Sequence, residues 1–300
     1  MRSLIQVAVA LCASSALAGP IDDARLDYIA GNYQAALEVL IPAAEAGDAN
    51  AQNIVGDAYD VGNGVDIDYN LARDWWTKSA DQGFSKALYN LGKMLSEGRD
   101  GLEPDYEEAK RRLTESARKA NGDAFNELGL MHALGRGGPV DHAKSIEFYM
   151  KGHELGSTIA TSNLGAVYAA GQGVEVDYAK AFELSTIAAE RGDGQANHNL
   201  GVMYRDGLHV SASPWVAFLM FREAQAQGYP KAGMQMADMM LVESSPRHDP
   251  VTALGYCQWS EIVASPAQQA DLFMDCAALA AELTDAQQAV ANAITEDLLQ

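Results

Sequence analysis

Basic residues are scarce in this chain: 21 Lys and Arg stand against 41 Asp and Glu, a formal net charge of −20 at pH 7 over 300 residues. Such a surface repels phosphate backbones and anionic headgroups, so nucleic acid is excluded as a natural partner and a partner of basic character is favoured. Long hydrophobic runs are lacking too. The apolar run from Leu4 to Leu11 is too short to cross a bilayer and no later stretch is long enough, which excludes a transmembrane segment. Six histidines (132, 142, 153, 198, 209 and 248) form no HxxxH or HExxH spacing and have no cysteine near them. A zinc site is thereby excluded, and these side chains are expected on the surface or in a groove. No G-x-S-x-G elbow occurs, and neither Cys257 nor Cys276 has an evident histidine partner. Neither a cofactor nor a catalytic residue is expected.

Only three cysteines are present, one of them inside a leader-like start. Arg2, the apolar run and Ala16-Leu17-Ala18 have the layout of a secretory signal peptide over residues 1–18, cleaved near Ala18. Lipidation at Cys12 is the minor alternative, because Leu11 stands where a lipobox needs a small residue. An exported, periplasmic or secreted protein would meet an oxidising compartment. Cys257 lies nine residues before Pro266 and Cys276 ten after it. If the second helix runs from about 267 to 282, the two sulfurs sit at equal heights in an antiparallel pair, and a Cys257–Cys276 disulfide is expected.

What is abundant is glycine, at 27 residues, and it is periodic. Gly56, Gly92, Gly129, Gly165 and Gly201 follow one another at spacings of 36, 37, 36 and 36. Alanine recurs five residues earlier, at 51, 87, 124, 160 and 196, with a sixth at 232. A second glycine recurs six residues later, and beyond it stand Asp68, Asp105, Asp141, Asp177 and Ser213. Each copy reads as two helices. The second glycine stops the first helix in a left-handed cap, and the acidic residue caps the start of the next. The early glycine sits mid-helix at a cost of about 1 kcal/mol relative to Ala, which points to close approach of a neighbouring helix backbone. Gly171-Gln172-Gly173 is not a phosphate cradle. It lacks a preceding strand and a Gly-Lys-Ser/Thr ending, and it is iterated.

The pattern A-x(3–4)-LG-x-x-Y-x-x-G-x-G-V-x-x-D-x-x-x-A, at residues 51–72 and 160–181, resembles the Sel-one-like repeat, a subclass of tetratricopeptide-like helical repeats. The match covers about Asp48 to Met240. Departures are an extra residue after Gly98, Gly137-Gly138-Pro139 in the third copy and Gly207-Leu208-His209 in the fifth. Cysteine-rich members carry a disulfide in each repeat; this sequence has none there. The resemblance implies an all-α fold, a right-handed α-solenoid of antiparallel helix pairs, with a concave face for a protein or peptide partner and a role as adaptor or regulator of envelope or exopolysaccharide processes. The expected organisation is an N-terminal cap or degenerate repeat (19–47), repeats at 48–83, 84–120, 121–156, 157–192 and 193–228, and a half repeat with a polar, disulfide-linked helical cap (229–300). Thr284 to Gln287 reads as a capping box.

The candidate binding residues are Lys86, Asn90, Lys93, Asn126, Asn163, Gln195 and Asn199. Lys86, Asn90 and Lys93 continue to Glu97 as one polar side of a first helix, and Gln195 and Asn199 start the matching stripe in the fifth copy. An amide both donates and accepts, so a ladder of asparagines matches a peptide backbone; the alternative is that the ladder braces neighbouring repeats. Tyr59, Tyr168, Tyr204, Trp75, Trp76, Phe148, Tyr149 and Phe221 are expected in the seams between units. Lys110, Arg111, Arg112, Arg118 and Lys119 read as a solvated helix face. The rival functions are a cell-wall or glycan-acting hydrolase using groove carboxylates, and a glycan-binding module with exposed aromatics.

Overall fold

The computed structural model describes residues 19–99, 101–242, 248–269, 272 and 274–300. The leader-like segment, Cys12 and most of the linker after Leu241 lie outside them. Among the described residues the regular structure is helical, apart from an isolated bridge between Arg99 and Leu102. The molecule divides into two compact units, residues 1–148 and 149–300.

In the first unit, α1 (Pro20–Ile29) and α2 (Tyr33–Glu45) form a hairpin. Then follow α3 (Ala49–Val61) with α4 (Tyr69–Asp81), α5 (Ser85–Glu97) with α6 (Tyr106–Arg118), α7 (Gly122–Leu134), and α8 (His142–Glu154), which carries the unit boundary. The second unit pairs α9 (Thr158–Ala170) with α10 (Tyr178–Ala189), α11 (Gly194–Asp206) with α12 (Pro214–Ala226), and α13 (Pro230–Leu241) with α14 (Pro250–Val263). Short helices α15 (Pro266–Gln269) and α16 (Cys276–Ala281) precede α17 (Asp285–Leu298), which packs on α14.

The hairpins are alike because the same residues make the same local bonds. Asp68, Asp105, Asp141, Asp177 and Ser213 each accept a backbone N–H of the second helix through the side chain, as read from the sequence. Their own N–H groups donate back to the first helix, to the carbonyls of Tyr59, Leu95, His132, Tyr168 and Tyr204, at 2.7–3.0 Å. First helices are capped as well, by Asp48, Asn121, Ser157 and Asp193. The apolar residue before the second-helix cap folds over the stop glycine: a Cβ on Gly171 would lie 2.8 Å from Val176 Cγ2. Gly98 departs from its fellows. Its ψ of 179° carries the inserted residue out into the Arg99–Leu102 bridge.

Small residues let each pair close. Ala51, Ala87, Ala124, Ala160, Ala196 and Ala232 on first helices have no exposed surface, nor do Ala72, Ala109, Ala181 and Ala217 on second helices. The mid-helix glycines meet mainly side chains of the paired helix rather than its backbone. A Cβ on Gly56 would fall 2.5 Å from the Trp76 indole and one on Gly201 2.5 Å from the Phe221 ring. Trp76 and Phe221 therefore fill the inside of a pair, whereas Phe182 and Tyr204, with ring centroids 5.9 Å apart, do span successive pairs.

Four further expectations are corrected. The half repeat is a whole hairpin: α13 pairs with α14, Asp249 caps α14 and donates to the Met240 carbonyl at 3.0 Å, and Ala253 is buried where Ala217 stands one period earlier. The helix expected over 267–282 is two short pieces, since Asp275 caps a fresh start at Cys276; the disulfide is present, with Cys257 and Cys276 Cα atoms 5.7 Å apart. The ends are not wholly polar, with Leu26 63% and Ile29 81% exposed. Nor is the basic cluster a free surface. Arg112 is buried, bridging Glu108 and Asp81 at 2.7 and 2.8 Å, and Lys110 donates to the Gly137 carbonyl.

Two substitutions test this account. Ala120 holds φ +60° where the other second helices end at Gly83, Gly156, Gly192 and Gly228. Ala120→Gly is expected to stabilise by about 0.5–1 kcal/mol, relief of left-handed strain exceeding the added conformational entropy, measured by urea unfolding. Gly201→Ala is expected to destabilise by about 1–3 kcal/mol despite the better helix propensity of Ala, with partial recovery on adding Phe221→Leu.

Candidate functional site

The first helices of successive pairs are neighbours in each unit, α5 beside α7 and α9 beside α11. What the predicted stripe does there varies. In the first unit, Asn90 is half-buried and both amide hydrogens are engaged, one to Asp57 Oδ1 at 2.7 Å and one to Asn53 Oδ1 at 3.2 Å. Asn126 is only 2% exposed and donates to Glu127 Oε1 at 3.4 Å. The reason is rotational. Asn126 stands three before the anchor glycine and Asn90 two before, and one residue turns a helix by about 100°. In the second unit, Gln195 Nε2 donates to Asn163 Oδ1 at 3.1 Å, and Asn199 Nδ2 is shielded without a hydrogen-bond partner. Asn90 and Asn163 thus tie neighbouring first helices, each within its own unit.

Lys86, Asn90 and Lys93 nonetheless converge on a cavity of about 310 Å³ in the first unit. Asp57 and Asp60 from α3 form its other wall, and Tyr28, Tyr89 and Arg99 line it as well. Asp57 is the hub. Its Oδ1 accepts from Trp76 Nε1 at 2.9 Å and from Asn90, its Oδ2 accepts from Asn53 Nδ2 at 3.0 Å, and Lys86 Nζ stands 3.8 Å away. Burial pushes its carboxyl up to about 6, against the downward pull of Lys86, Trp76 and Asn53. Asp60 faces Arg99 Nε at 3.4 Å, and Arg99 also pairs with Glu97 at 3.0 Å; burial works against the guanidinium charge and these carboxylates outweigh it. Burial, with Glu127, Asp123 and Glu97 nearby, raises the Tyr89 phenol.

Sequence reading missed Asp57, Asp60, Tyr28, Tyr89 and Arg99. One signal was available: the position after the anchor glycine holds Asp57 in the first copy and Lys93 in the second, opposite charges at equivalent sites of adjacent hairpins. Asp57 and Asp60 share one cavity, the arrangement a carboxylate-pair hydrolase would need. Asp57, however, is surrounded by N–H donors from Trp76, Asn90 and Asn53, unlike an acid nested in an apolar pocket. Among the described residues no group of three or more His, Cys, Asp or Glu is arranged to hold a metal ion, and no helix is long and apolar enough to cross a membrane.

His198 corrects the expectation of surface histidines. Its ring packs against Phe221 and Tyr229 at 5.5 and 5.1 Å, and both ring nitrogens are buried, with the Asn199 side chain near but no well-formed hydrogen bond to a described residue.

Hairpins iterated at one period, with caps, stop glycines and buried alanines in register, define an α-helical repeat protein of the solenoid class. Five segments, 49–84, 85–119, 123–157, 158–193 and 194–229, match the Sel1 repeat model, and the chain belongs to the Sel1 repeat family. Repeats of this family generally mediate protein–protein interaction. The structure is similar to a Sel1 repeat protein from Oxalobacter formigenes, with a TM-score of 0.68 and 25% identity over 81% of this chain and 97% of that one. It is also similar to c5321, a protective antigen of uropathogenic Escherichia coli with an SLR fold, at a TM-score of 0.67 and 26% identity. That match covers 89% of this chain and 56% of the antigen's. Immunity protein Pa5087 from Pseudomonas aeruginosa shares the fold at a TM-score of 0.52 and 16% identity, over 83% of this chain and 81% of its own. No curated protein matches the sequence.

The buried His198 gives a pH test. Burial is the main cause holding its pKa down at about 4, with the Asn199 amide pulling the other way and Lys231 and Arg205 adding to the depression. Between pH 6.5 and 4 the unfolded state binds the proton more tightly, so stability from this group is present above 6.5 and lost as pH falls towards 4. His198→Leu is expected to narrow the acid-side loss by up to about 3 kcal/mol relative to wild type, with no pH-dependent difference above about pH 7. Urea midpoints measured across that range check it.

Proposed function

We propose that this protein is an exported, periplasmic scaffold that binds a protein or peptide partner on the face built by its first helices, as an adaptor or regulator of envelope or exopolysaccharide processes, and that it is not an enzyme. The observation that carries this reading is the charged cavity on that face, where Lys86, Asn90 and Lys93 meet Asp57 and Asp60. Gln195 and Asn163 satisfy one another and Asn199 Nδ2 is shielded, so the cavity, with its accessible ammonium groups, is the place where a partner has most to add. The disulfide is of the kind that persists in oxidising compartments, which supports export. The net charge of −20 favours a partner that is basic overall, drawn in by a long-range field that salt screens.

Photo-crosslinkers placed at Lys86 and Gln195 on first helices, and at Asp74 and Glu183 on second helices, test the reading in the native host. Discrete adducts are expected from the first pair and none from the second. Equal labelling from both faces, or none from either, would refute it, as would hydrolytic turnover of a cell-wall glycan by the pure protein that is lost in Asp57→Asn.

A further inference from the structure

The same cavity has a definite chemical preference, and the following assignment rests on the scaffold reading above. Of the four carboxylate oxygens in its lining three are engaged: both of Asp57 by Trp76, Asn90 and Asn53, and Asp60 Oδ1 by Arg99. Its donors are not. Lys93, half-buried in the wall, makes no hydrogen bond or ion pair with a described residue, and the Tyr89 hydroxyl makes no hydrogen bond with one. Lys86 is 65% exposed, with Asp57 at 3.8 Å its ion-pair contact. The Tyr28 hydroxyl accepts from Asn63 at 3.4 Å, and its own proton is unused. In a protein of net charge −20, the lining holds three cations (Lys86, Lys93, Arg99) and two acids, the acids being the groups already hydrogen-bonded. Two more carboxyls stand close: Glu97, paired with Arg99, and the buried Glu127, which feels Lys93 and whose Oε2 has no hydrogen-bond partner among the described residues.

Unused ammonium and phenol donors around a void call for a group that only accepts. A carboxylate does so, with two oxygens and about four lone-pair sites. We propose that this cavity binds a carboxylate of the partner, borne either by an Asp or Glu side chain or by the partner's carboxyl terminus, held by Lys93 and Lys86 with the Tyr89 and Tyr28 hydroxyls. A partner that is basic overall and carries one such group would be drawn in by the general field and fixed in register by this contact.

Calorimetry with the intact disulfide-bonded protein tests it against four acetylated penta-alanine probes: one with a free carboxyl terminus, and three C-terminal amides with a central alanine, glutamate or lysine. At least one carboxylate probe is expected to bind about tenfold or more tightly than the neutral and lysine amides, and more weakly as salt is raised. Which of the two binds distinguishes a terminal carboxylate from a side-chain one. Lys93→Met is expected to cost that probe about tenfold while Lys93→Arg retains most of the affinity, with circular dichroism unchanged in both. Tyr89→Phe, which deletes one oxygen, should weaken the same probe and serves if Lys93→Met does not fold. Equal binding of the lysine or neutral amide, no binding of either carboxylate probe, or indifference to both Lys93→Met and Tyr89→Phe would overturn the assignment. Persistence of the first-helix crosslinks would then leave the scaffold reading standing; their absence would sink that reading whatever the peptides do.

Discussion

Each hairpin from α3–α4 to α13–α14 depends on one doubled contact at its turn. The residue that caps the second helix takes that helix's free N–H groups on its side chain and gives its own N–H to a carbonyl near the end of the first helix. The two helices are thereby fixed in height as well as direction. Buried alanines then meet across the pair, and a mid-helix glycine can face a Trp or Phe ring. A hairpin so fixed presents the same faces at every repeat, which is the condition for stacking identical units. The contact recurs at Asp249 and Met240, where the glycine signature has faded, so the sixth pair keeps the joint after losing the most visible letters.

The fold was legible because its signals are local and repeated: Gly171 needs a left-handed backbone, Asp177 a free helix start, and both recur in register. The candidate binding residues were half legible. Lys86, Asn90 and Lys93 were found from helical spacing and do share a cavity, but Asn126, one step round its helix, points inward, and Asn163 is taken up by Gln195. Periodicity tells which side of a helix faces out; it does not tell whether a polar group there is already satisfied by the next helix. Tyr28 and Arg99 were out of reach for another reason. They come from the N-terminal hairpin and an irregular turn, and only packing brings them to the wall.

The cavity also shows how a repeat array acquires chemistry without new structure. The position after the anchor glycine carries Asp57, Lys93, Leu130, Ala166 and Val202 in successive copies, a slot the backbone leaves open to any residue type. Charging it in two neighbouring copies with opposite signs places a carboxylate and an ammonium across one seam. The position three before that glycine carries Asn53, Tyr89, Asn126, Ser162 and His198, so the same inward slot supplies a brace in one hairpin and a buried imidazole in another. Specificity is written in the deviations from the period and stability in its fidelity.

The Cys257–Cys276 crosslink lies at the carboxyl-terminal end of the second unit, tying α14 to the short helix that follows it. In the first unit, the α1–α2 hairpin packs on the helices that follow chiefly through α2 against α3, and Leu26 and Ile29 of α1 are left bare. Stacked elements lose order from their termini, where each has one neighbour instead of two. With α14 and α16 stapled and α1 and α2 not, protease nicking is expected sooner in the first hairpin of the first unit than within the bridged segment of the second.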